Sequence, residues 1–464
     1  MSYSNSNNNK SRIHYAGIGG SGMSALAQFQ VMAGENVSGS DRAFDHDAQD
    51  ELRPKLERLG IVIHPQDGSG VGEDCKALVV TSAVESTVPD YVQAKKLGIP
   101  LIHRSEILAE FVNTYRTVAI GGTSGKSTVV AMIFEILHRL AYHPSIITGG
   151  NLVLLEEKGL PGNAWFDDSD ILIVETDESD GTITRYNPSI GVILNLSKDH
   201  KEVHEIEEMF VKFRNNTNGA FIAGEDQNLA TIAKNASVFG FGEHAAIRAK
   251  DVKIYPSYSE FKVNNVHFKI PVPGTYNVKN ALAAITACHT LGVPLTDMMQ
   301  PLEQFRGVGR RFQSLGIVNG VEVIDDFAHN PAKIRAVIGT AQLRAKRVLA
   351  VFQPHGFSPT RFLRADLVDA FVTVLRQEDK VWLPEIYYAG GTTKKDFSAS
   401  DIVKEIASHG KQAAFESSRE MLATRLAEEA REGDVILIMG ARDPSLSRFA
   451  KSVLYTLKVK NEYV

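Results

Sequence analysis

The residues best suited to chemistry lie in a glycine-rich segment, AIGGTSGKST, which runs from Ala119 to Thr128. A short β-branched stretch followed by a glycine-rich turn and an amphipathic stretch predicts a strand, a loop and a helix. In a triphosphate-binding loop, backbone N–H groups hold the phosphates, a lysine neutralises them and a hydroxyl reaches Mg²⁺. The match to a full Walker A sequence is incomplete, because Ile120 stands five residues before Gly125. The predicted phosphate-binding residues are Gly122, Thr123, Ser124, Gly125, Lys126, Ser127 and Thr128.

Acidic residues follow two later apolar stretches, in the sequences VETDESDG and LNLSKDH. They are Glu175, Asp177, Glu178, Asp180 and Asp199, followed by His200. The carboxyl ends of parallel strands gather ligands, so these side chains should lie beside the phosphate loop and complete a Mg²⁺ site. A solvated acidic loop is the alternative; it explains Asp177 and Glu178 but not Glu175, which closes an apolar strand. A lone histidine is more often structural, but beside a phosphate loop we favour a functional role for His200.

Another glycine-rich segment, HYAGIGGSGMSALA, runs from His14 to Ala27; because it comes earlier in the chain, its loop is called the first glycine loop. Its glycines let the backbone pass close to a phosphate, and a helix beginning near Met23 offers free N–H groups. Asp41 ends the next predicted strand, where a carboxylate would meet a ribose hydroxyl. A purely structural turn between strand and helix is the alternative interpretation. The predicted ligand-binding residues are Gly19, Gly20, Ser21, Gly22, Met23 and Asp41.

Strand and helix patterns alternate along almost all of the 464 residues, which is too long a chain for one ordinary core. This alternation predicts an α/β fold with helices on both faces of parallel sheets. We expect three domains: a Rossmann-like domain over residues 1–114, a central P-loop-type ATPase domain over 115–311, and a Rossmann-like domain over 312–464. An antiparallel insert is expected at Glu260–Pro273, where apolar and polar residues alternate.

Composition excludes several classes of function. A formal net charge of −5 gives no basic surface for nucleic acid. The two cysteines, Cys75 and Cys288, form no CxxC pair, which fits a reducing compartment. Residues 1–10 are rich in serine and asparagine, unlike a secretory signal, and no stretch is apolar enough to span a membrane. We therefore expect a cytoplasmic protein.

The chain resembles the Mur ligase family over nearly its whole length. Besides the two glycine segments and the acidic cluster, the similar motifs are VSGSD at Asp41, TSAV (Thr81–Val84), IPLIHRSEILAEF (Ile99–Phe111), GTYNVKNALAA (Gly274–Ala284), GVGRRFQ with Arg311, DDFAHNP with Asp326 and His329, and FQPHGFSPTR (Phe352–Arg361). All of them occur in the order that the family shows, and chance does not produce this many independent motifs in one order.

The resemblance implies ATP and Mg²⁺ as cofactors and a reaction in two steps. The carboxylate of a UDP-linked sugar acid attacks the γ-phosphate of ATP, and an amine then attacks the acyl phosphate. The resemblance adds Ser82 to the sugar-binding residues and Asn277, Asn280 and Arg311 to the nucleotide-binding ones. The implied catalytic residues are Lys126, His200, Asn280, Arg311, Asp326 and His329. The implied metal ligands are Ser127, Glu175 and His200, and the implied amine-binding residues are His355 and Arg361.

Within the family, the chain is most similar to members that join L-alanine to UDP-N-acetylmuramate in peptidoglycan biosynthesis, so this is the expected reaction. Gly356 and Pro359 stand where those members carry arginines, and an arginine fork is the natural clamp for a carboxylate. Ligation of the tripeptide L-Ala-γ-D-Glu-meso-diaminopimelate in cell-wall recycling is therefore the alternative. We expect a monomer or a homodimer.

Two other classes of protein compete with a ligase. A nucleotide-sensing scaffold with a decayed site would have lost residues such as Lys126 and Glu175, and both are present. A Rossmann oxidoreductase would explain the first glycine segment but leaves the Gly-Lys-Ser loop without a purpose.

Overall fold

The computed structural model describes residues 11–45, 51–81, 84–178, 181–197, 202–388, 393–443 and 445–460. Three large, mainly parallel sheets and one small sheet follow one another along this part of the chain. The predicted α/β fold is confirmed. Its strands are nearly continuous apolar runs because helices cover them, as expected for parallel sheets.

The N-terminal sheet is parallel throughout and has the order β3-β2-β1-β4-β5, which is the Rossmann order. Its strands are β1 (Arg12–Ala16), β2 (Asn36–Ser40), β3 (Val62–His64), β4 (Cys75–Val80) and β5 (Leu101–His103). Its helices are α1 (Ser21–Met32), α2 (Arg42–Asp45), α3 (Leu52–Arg58), α4 (Pro89–Lys96) and α5 (Arg104–Thr114). Alternation along β1 sends Ile13 and Tyr15 into one core and Ala16 into another.

The central sheet has eight strands in the order β13-β12-β11-β10-β6-β9-β7-β8, and only β7 and β8 pair antiparallel. Its strands are β6 (Arg116–Gly121), β7 (Ser145–Ile147), β8 (Ala164–Trp165), β9 (Ile171–Glu175), β10 (Ile190–Ile193), β11 (Ala220–Gly224), β12 (Ser237–Gly240) and β13 (Ile247–Arg248). The helices in this part of the chain are α6 (Lys126–Arg139), α7 (Val153–Glu156) and α8 (Val203–Asn216). Helix α6 is buried from Ser127 to Leu137, which fixes its N-terminus at the end of β6.

A three-stranded sheet follows, with the order β14-β15-β16. Its strands are β14 (Lys250–Ile254), β15 (Ser259–Val263) and β16 (Val266–Ile270). Asn264 and Asn265 join β15 to β16 with φ values of 46° and 66°, as in a type I′ hairpin turn. The predicted insert therefore exists, but it begins earlier than Glu260. The helices α9 (Thr275–Thr290) and α10 (Met299–Glu303) come next.

The C-terminal sheet has the order β17-β18-β22-β19-β20-β21 and is parallel except for β17 at its edge. Its strands are β17 (Gln313–Val318), β18 (Val321–Asp326), β19 (Arg347–Gln353), β20 (Lys380–Leu383), β21 (Gln412–Phe415) and β22 (Asp434–Gly440). Its helices are α11 (Pro331–Gln342), α12 (Phe357–Val374), α13 (Ala399–Ser408), α14 (Arg419–Glu429) and α15 (Leu446–Lys460). Two separate apolar clusters pack on this sheet.

Packing divides the chain into two compact units. The first comprises Met1–Lys250, Lys262–Phe268 and Lys279–Val308, and the second comprises Asp251–Phe261, Lys269–Val278 and Gly309–Val464. The predicted domain boundaries after residues 114 and 311 divide the chain more finely and stay predictions. Among the residues described, no helix combines the length and the apolar character needed to cross a membrane.

Candidate active site

The phosphate loop lies between β6, which ends at Gly121, and α6, which begins at Lys126. Gly125 caps the helix with a φ of 88°, a conformation that favours glycine. A Cβ atom at Gly125 would collide with Oδ1 of Asn280, so a larger residue there would have to displace the Asn280 side chain. The structure thus brings a predicted nucleotide-binding side chain against the loop. The first turn of α6 offers backbone N–H groups and the positive end of the helix dipole to an anion.

Asn195 fixes the shape of this loop. Its Oδ1 accepts hydrogen bonds from Thr123 Oγ1 and from the backbone N–H of Ser124, each at 2.9 Å. Its Nδ2 donates to the carbonyl of Ser124 at 3.0 Å. Asn195 is not among the residues predicted from the sequence; the available signal was a polar residue shortly after the apolar strand β10.

Lys126 and Glu178 form an ion pair, with Nζ 2.6 Å from Oε2 and both side chains mostly buried. Burial lowers the pKa of Lys126, but the carboxylates of Glu178 and Glu175 outweigh burial and raise it. Burial also raises the pKa of the Glu178 carboxyl, against the effect of Lys126. The interpretation of this segment as a solvated acidic loop is therefore wrong for Glu178, because the lysine draws its carboxylate inward.

One carboxylate oxygen of Glu175 accepts three hydrogen bonds. Its Oε2 lies 2.9 Å from Ser127 Oγ, 2.7 Å from Thr148 Oγ1 and 3.0 Å from the backbone nitrogen of Gly149. Two of the predicted metal ligands, Ser127 and Glu175, therefore meet at the phosphate loop. The predicted residues Ser82, Asp180, Asp199 and His200 lie outside the described residues.

Hydroxyl and carboxylate oxygens are the ligand types that Mg²⁺ prefers, so Ser127 and Glu175 fit this ion. Such ions keep several water ligands and bind through one or two carboxylates plus substrate phosphates. In the described part of the chain, no three His, Cys, Asp or Glu side chains are grouped so that they could hold a metal by themselves.

The first glycine loop leads from β1 into α1. The carboxylate of Asp41 accepts hydrogen bonds from the backbone N–H groups of Gly19 and Ala43, each at 2.9 Å. The structure therefore brings Asp41 to the glycine loop, and its contact with a ribose hydroxyl stays a prediction. The side chain of Met23 is buried in the core, so this residue offers only its backbone to a ligand. Gly20, Ser21 and Gly22 form the cap and first turn of α1.

Arg104 lies against the same loop. A Cβ atom at Gly22 would be 2.7 Å from Arg104 Nη1, so the guanidinium covers the first turn of α1. Arg104 begins α5, directly after β5, and is partly exposed. A cation beside a helix N-terminus reinforces the attraction for a phosphate. Arg104 belongs to the segment IPLIHRSEILAEF but is not among the residues predicted from the sequence.

Asn277 lies in the first turn of α9, and its side chain is buried. Its Nδ2 donates to the carbonyl of Pro273 at 2.8 Å, and its backbone nitrogen donates to the carbonyl of Gly274 at 3.0 Å. These bonds give the beginning of α9 one fixed conformation.

In the second unit, Asp326 ends β18 and is buried. Its carboxylate accepts hydrogen bonds from the backbone N–H groups of Phe312, at 2.6 Å, and Ala328, at 2.7 Å. Burial raises the pKa of Asp326 to about 6, although Arg311 opposes this rise. The Arg311 guanidinium lies 4.7 Å above the ring of Phe327. The structure therefore brings together Arg311 and Asp326, two of the predicted catalytic residues.

Two predicted histidines meet at this place. Nδ1 of His329 lies 2.9 Å from the carbonyl oxygen of Phe327, and the His329 ring lies 5.9 Å from the ring of His355. A carbonyl oxygen only accepts, so this hydrogen bond requires the proton on Nδ1 and leaves Nε2 as the acceptor of a neutral ring. The segment DDFAHNP and the segment FQPHGFSPTR (Phe352–Arg361), here called the amine segment, therefore share one site.

Arg361, the other predicted amine-binding residue, is already engaged. It forms an ion pair with Asp396, donates to the carbonyl of Lys394 at 3.2 Å, and lies 5.3 Å above the ring of Phe397. Gly356 precedes α12 with a φ of 68°, a region that arginine rarely adopts. The backbone therefore explains the glycine at this position.

A polar cluster that the sequence analysis did not select lies at the ends of β19 and β22. Arg419 donates from Nη1 to Ser445 Oγ at 2.6 Å and from Nη2 to Gln353 Oε1 at 2.5 Å, and it pairs with Asp443. Gln353 and Asp443 are buried. The carboxyl ends of adjacent parallel strands are where ligands bind in such sheets.

Three family models match the chain. They are the Mur ligase family catalytic domain over residues 12–116, the Mur ligase middle domain over residues 120–288, and the Mur ligase glutamate ligase domain over residues 310–442. Together they cover well over half of the sequence. The chain belongs to the Mur ligase family.

Comparison with individual proteins shows which members of the family the chain is similar to. The UDP-N-acetylmuramate–L-alanine ligase of Geobacter sulfurreducens is 35% identical over 452 residues, covering 93% of this chain and 94% of that protein. The solved UDP-N-acetylmuramate–alanine ligase of Thermotoga maritima is 26% identical with a TM-score of 0.77, covering 98% of this chain and all of that one. A murein peptide ligase of Psychrobacter arcticus has the same fold, with 21% identity and a TM-score of 0.67 over 96% of this chain and 98% of its own.

Proposed function

We propose that this chain is an ATP-dependent ligase that joins the carboxylate of UDP-N-acetylmuramate to the amine of L-alanine through an acyl phosphate. The observation that carries the proposal is the phosphate loop, where Lys126 and Ser127 meet Glu178 and Glu175 at the carboxyl ends of β6 and β9. The relatives named as L-alanine ligases support the choice of both substrates.

The nucleotide site is the N-terminus of α6. The N–H groups from Gly122 to Thr128 bind the phosphates of ATP, and Lys126 exchanges Glu178 for phosphate oxygens. Ser127 and Glu175 would hold Mg²⁺, with His200 as the ligand of a second ion. The metal supplies positive charge that lets two anions, a carboxylate and a triphosphate, approach each other. Asn280 keeps Gly125 in place and contacts the nucleotide.

The sugar acid binds at the first glycine loop. Its diphosphate meets the first turn of α1 and Arg104, while Asp41 and Ser82 complete the site. The carboxylate of the sugar acid attacks the γ-phosphorus, and ADP leaves with the bridging oxygen. The amine then attacks the acyl carbon, and inorganic phosphate leaves as the amide forms.

The second unit serves the amine and the acyl phosphate. Asp326 fixes the backbone on both sides of itself, which orients Arg311 towards developing negative charge. His329 stabilises the transferred phosphoryl group, and His355 binds the amine. Arg361 binds the carboxylate of the amine substrate by exchanging it for Asp396. We further propose that the enzyme acts in the cytoplasm as a monomer or a homodimer.

The murein tripeptide is the second candidate for the amine. The observation in its favour is local: Gly356 and Pro359 leave no arginine fork, and Arg361 is paired with Asp396. A peptide would need less neutralisation at its first residue than free L-alanine, whose carboxylate is adjacent to the reacting amine. The similarity in sequence to L-alanine ligases makes the amino acid the first choice.

A panel assay of phosphate release tests the proposal. The protein receives ATP, Mg²⁺ and UDP-N-acetylmuramate with L-alanine, glycine, L-serine or the tripeptide. We expect release that requires every component and is fastest with L-alanine. Release only with the tripeptide would overturn the choice of amine, and release that ignores UDP-N-acetylmuramate would overturn the choice of acid.

A further inference from the structure

The Asn163 side chain forms hydrogen bonds with the helix that follows the first glycine loop. Its Nδ2 donates to the carbonyl oxygen of Ser21 at 2.8 Å and approaches Ser24 Oγ at 3.1 Å. Ser21 is the first residue of α1. Asn163 lies 142 residues further along the chain, directly before β8 of the central sheet. The amide therefore ties the sugar-binding loop to an element of the ATP-binding sheet.

Gln28 holds this amide in one orientation. Its Nε2 donates to Asn163 Oδ1 at 2.7 Å and to the carbonyl of Ser24 at 2.9 Å. Gln28 is fully buried and Asn163 is 2% exposed. Among the described residues, Gln28 Oε1 has no hydrogen-bond partner. A buried donor or acceptor left unpaired is costly, so the chain tolerates one such atom to keep the contact with Asn163.

The other side of Asn163 leads to Glu175. The carbonyl of Asn163 accepts a hydrogen bond from the backbone nitrogen of Thr148 at 3.0 Å, and Thr148 Oγ1 donates to Glu175 Oε2 at 2.7 Å. Pairing of β7 with β8 keeps these two segments in register, with Ile147 opposite Ala164. Hydrogen bonds through Asn163 and Thr148 therefore link the first turn of α1 to the Glu175 carboxylate. This carboxylate in turn accepts a hydrogen bond from Ser127.

We propose that Asn163 is a positioning residue that holds the sugar-acid loop in register with the phosphate and metal site. The inference rests on the proposed function. Attack on the γ-phosphorus requires reacting atoms about 3–3.5 Å apart, and a misplacement of about 1 Å costs about 10²-fold in rate. Asn163 acts through Ser21 and Thr148, whose positions it sets.

Kinetics of Asn163→Leu tests the role, because leucine has a similar size and makes no hydrogen bonds. We expect kcat to fall about 10- to 100-fold, while KM for ATP and for UDP-N-acetylmuramate changes less than about threefold. The control is Tyr15→Phe, which removes another buried hydrogen bond to α1, from Tyr15 OH to Gln30 Oε1 at 2.5 Å. An equal loss of kcat in the control would overturn the proposal, as would a loss confined to KM.

Gln28→Met is the second variant, should Asn163→Leu not fold. Methionine fits a helix and removes the hydrogen bonds from Gln28 to Asn163 and to the carbonyl of Ser24, so we expect a loss of kcat of about 3- to 10-fold with KM unchanged. A variant with wild-type kcat would contradict the proposal.

Hydrogen–deuterium exchange of the ligand-free protein separates this inference from the proposed function, because it needs no substrate. We expect faster exchange in Asn163→Leu, or in Gln28→Met, at two places together: Ser21–Ser24 and Thr148–Gly150. Faster exchange on one side alone would show that the link is absent. Absence of phosphate release by the wild-type protein would instead overturn the proposed function and leave the exchange result valid.

Discussion

The phosphate loop and the amine segment differ in the contacts that their predicted residues make. At the phosphate loop, residues from separate segments contact one another: Ser127 binds Glu175, and Asn280 lies against Gly125. In the amine segment, His355 does meet His329, but Arg361 pairs with Asp396 at the surface. Both regions hold a cation in an ion pair without ligand, but the pair of Arg361 with Asp396 is held less firmly than the pair of Lys126 with Glu178.

This difference follows from burial. Lys126 and Glu178 are mostly buried, so their attraction is little screened by water. Arg361 and Asp396 are each more than a third exposed, and ion pairs of this kind contribute little. A ligand can therefore exchange with Asp396 at small cost, while the phosphate loop keeps a fixed geometry.

The largest effect is expected at the phosphate loop. Lys126→Met removes the charge that neutralises the phosphates, so kcat/KM should fall about 10²- to 10³-fold in the phosphate-release assay. The control is Lys76→Met, which breaks a surface ion pair with Glu35 and should leave kcat/KM unchanged. Normal turnover by Lys126→Met would refute an assembled site at this loop.

Asn195→Ala removes hydrogen bonds that hold the same loop in shape, and it removes no charge. Losing the bonds to Thr123 and Ser124 lets the loop change shape, so KM for ATP should rise about 10-fold while KM for the other substrates stays constant. Asn187→Ala, at an exposed asparagine, should leave KM for ATP unchanged. Equal KM values for ATP in the two variants would refute a role for Asn195 in the loop.

The amine segment allows a test in both directions. Arg361→Ala should raise KM for L-alanine up to about 10-fold, and Asp396→Asn should lower it by releasing Arg361. Arg364 is a matched control, since it lies 5.4 Å above the same Phe397 ring and pairs with Glu405 instead. If Arg364→Ala raises KM for L-alanine as much as Arg361→Ala, the assignment of Arg361 is wrong.

The smallest effect concerns stability and pH in the first unit. Glu135 of α6 accepts hydrogen bonds from Arg139 and from the backbone nitrogen of Arg306, and burial raises its pKa to about 7 from 4.5. Between these values the folded chain keeps a proton that the unfolded chain has released, so the free energy of unfolding falls as pH rises. The expected loss is about 2–3 kcal/mol.

The measurement is the unfolding midpoint in urea at pH 5 and at pH 8, for the wild type and for Glu135→Gln. Glutamine keeps an acceptor and cannot ionise, so its midpoint should depend less on pH. Identical pH profiles for the two proteins would show that Glu135 does not carry this dependence.

Much of the site was predictable because the predicted residues belong to local patterns. A strand, a glycine turn and a helix place Lys126 at a helix N-terminus, and a carboxylate that closes an apolar strand marks Glu175. Asn163 and Arg419 have no such pattern, and the local signal for Asn195 is its place shortly after an apolar strand. The partners of these residues are distant in sequence: Asn163 reaches Gln28 across 135 residues, and Asn195 reaches Ser124 across 71. Only the packing of the sheets brings these partners together, so no local spacing could indicate the contacts.

The ion pair between Lys126 and Glu178 has a consequence for selectivity between anions. Because the lysine already has a carboxylate partner, binding a nucleotide is an exchange of one anion for another. A monoanion such as chloride or acetate gains little from this exchange, whereas a triphosphate offers more negative charge than one carboxylate and several oxygens that accept hydrogen bonds. The Glu178 carboxylate thus competes with other anions for Lys126, which should prevent the common small anions of the cell from binding at the loop.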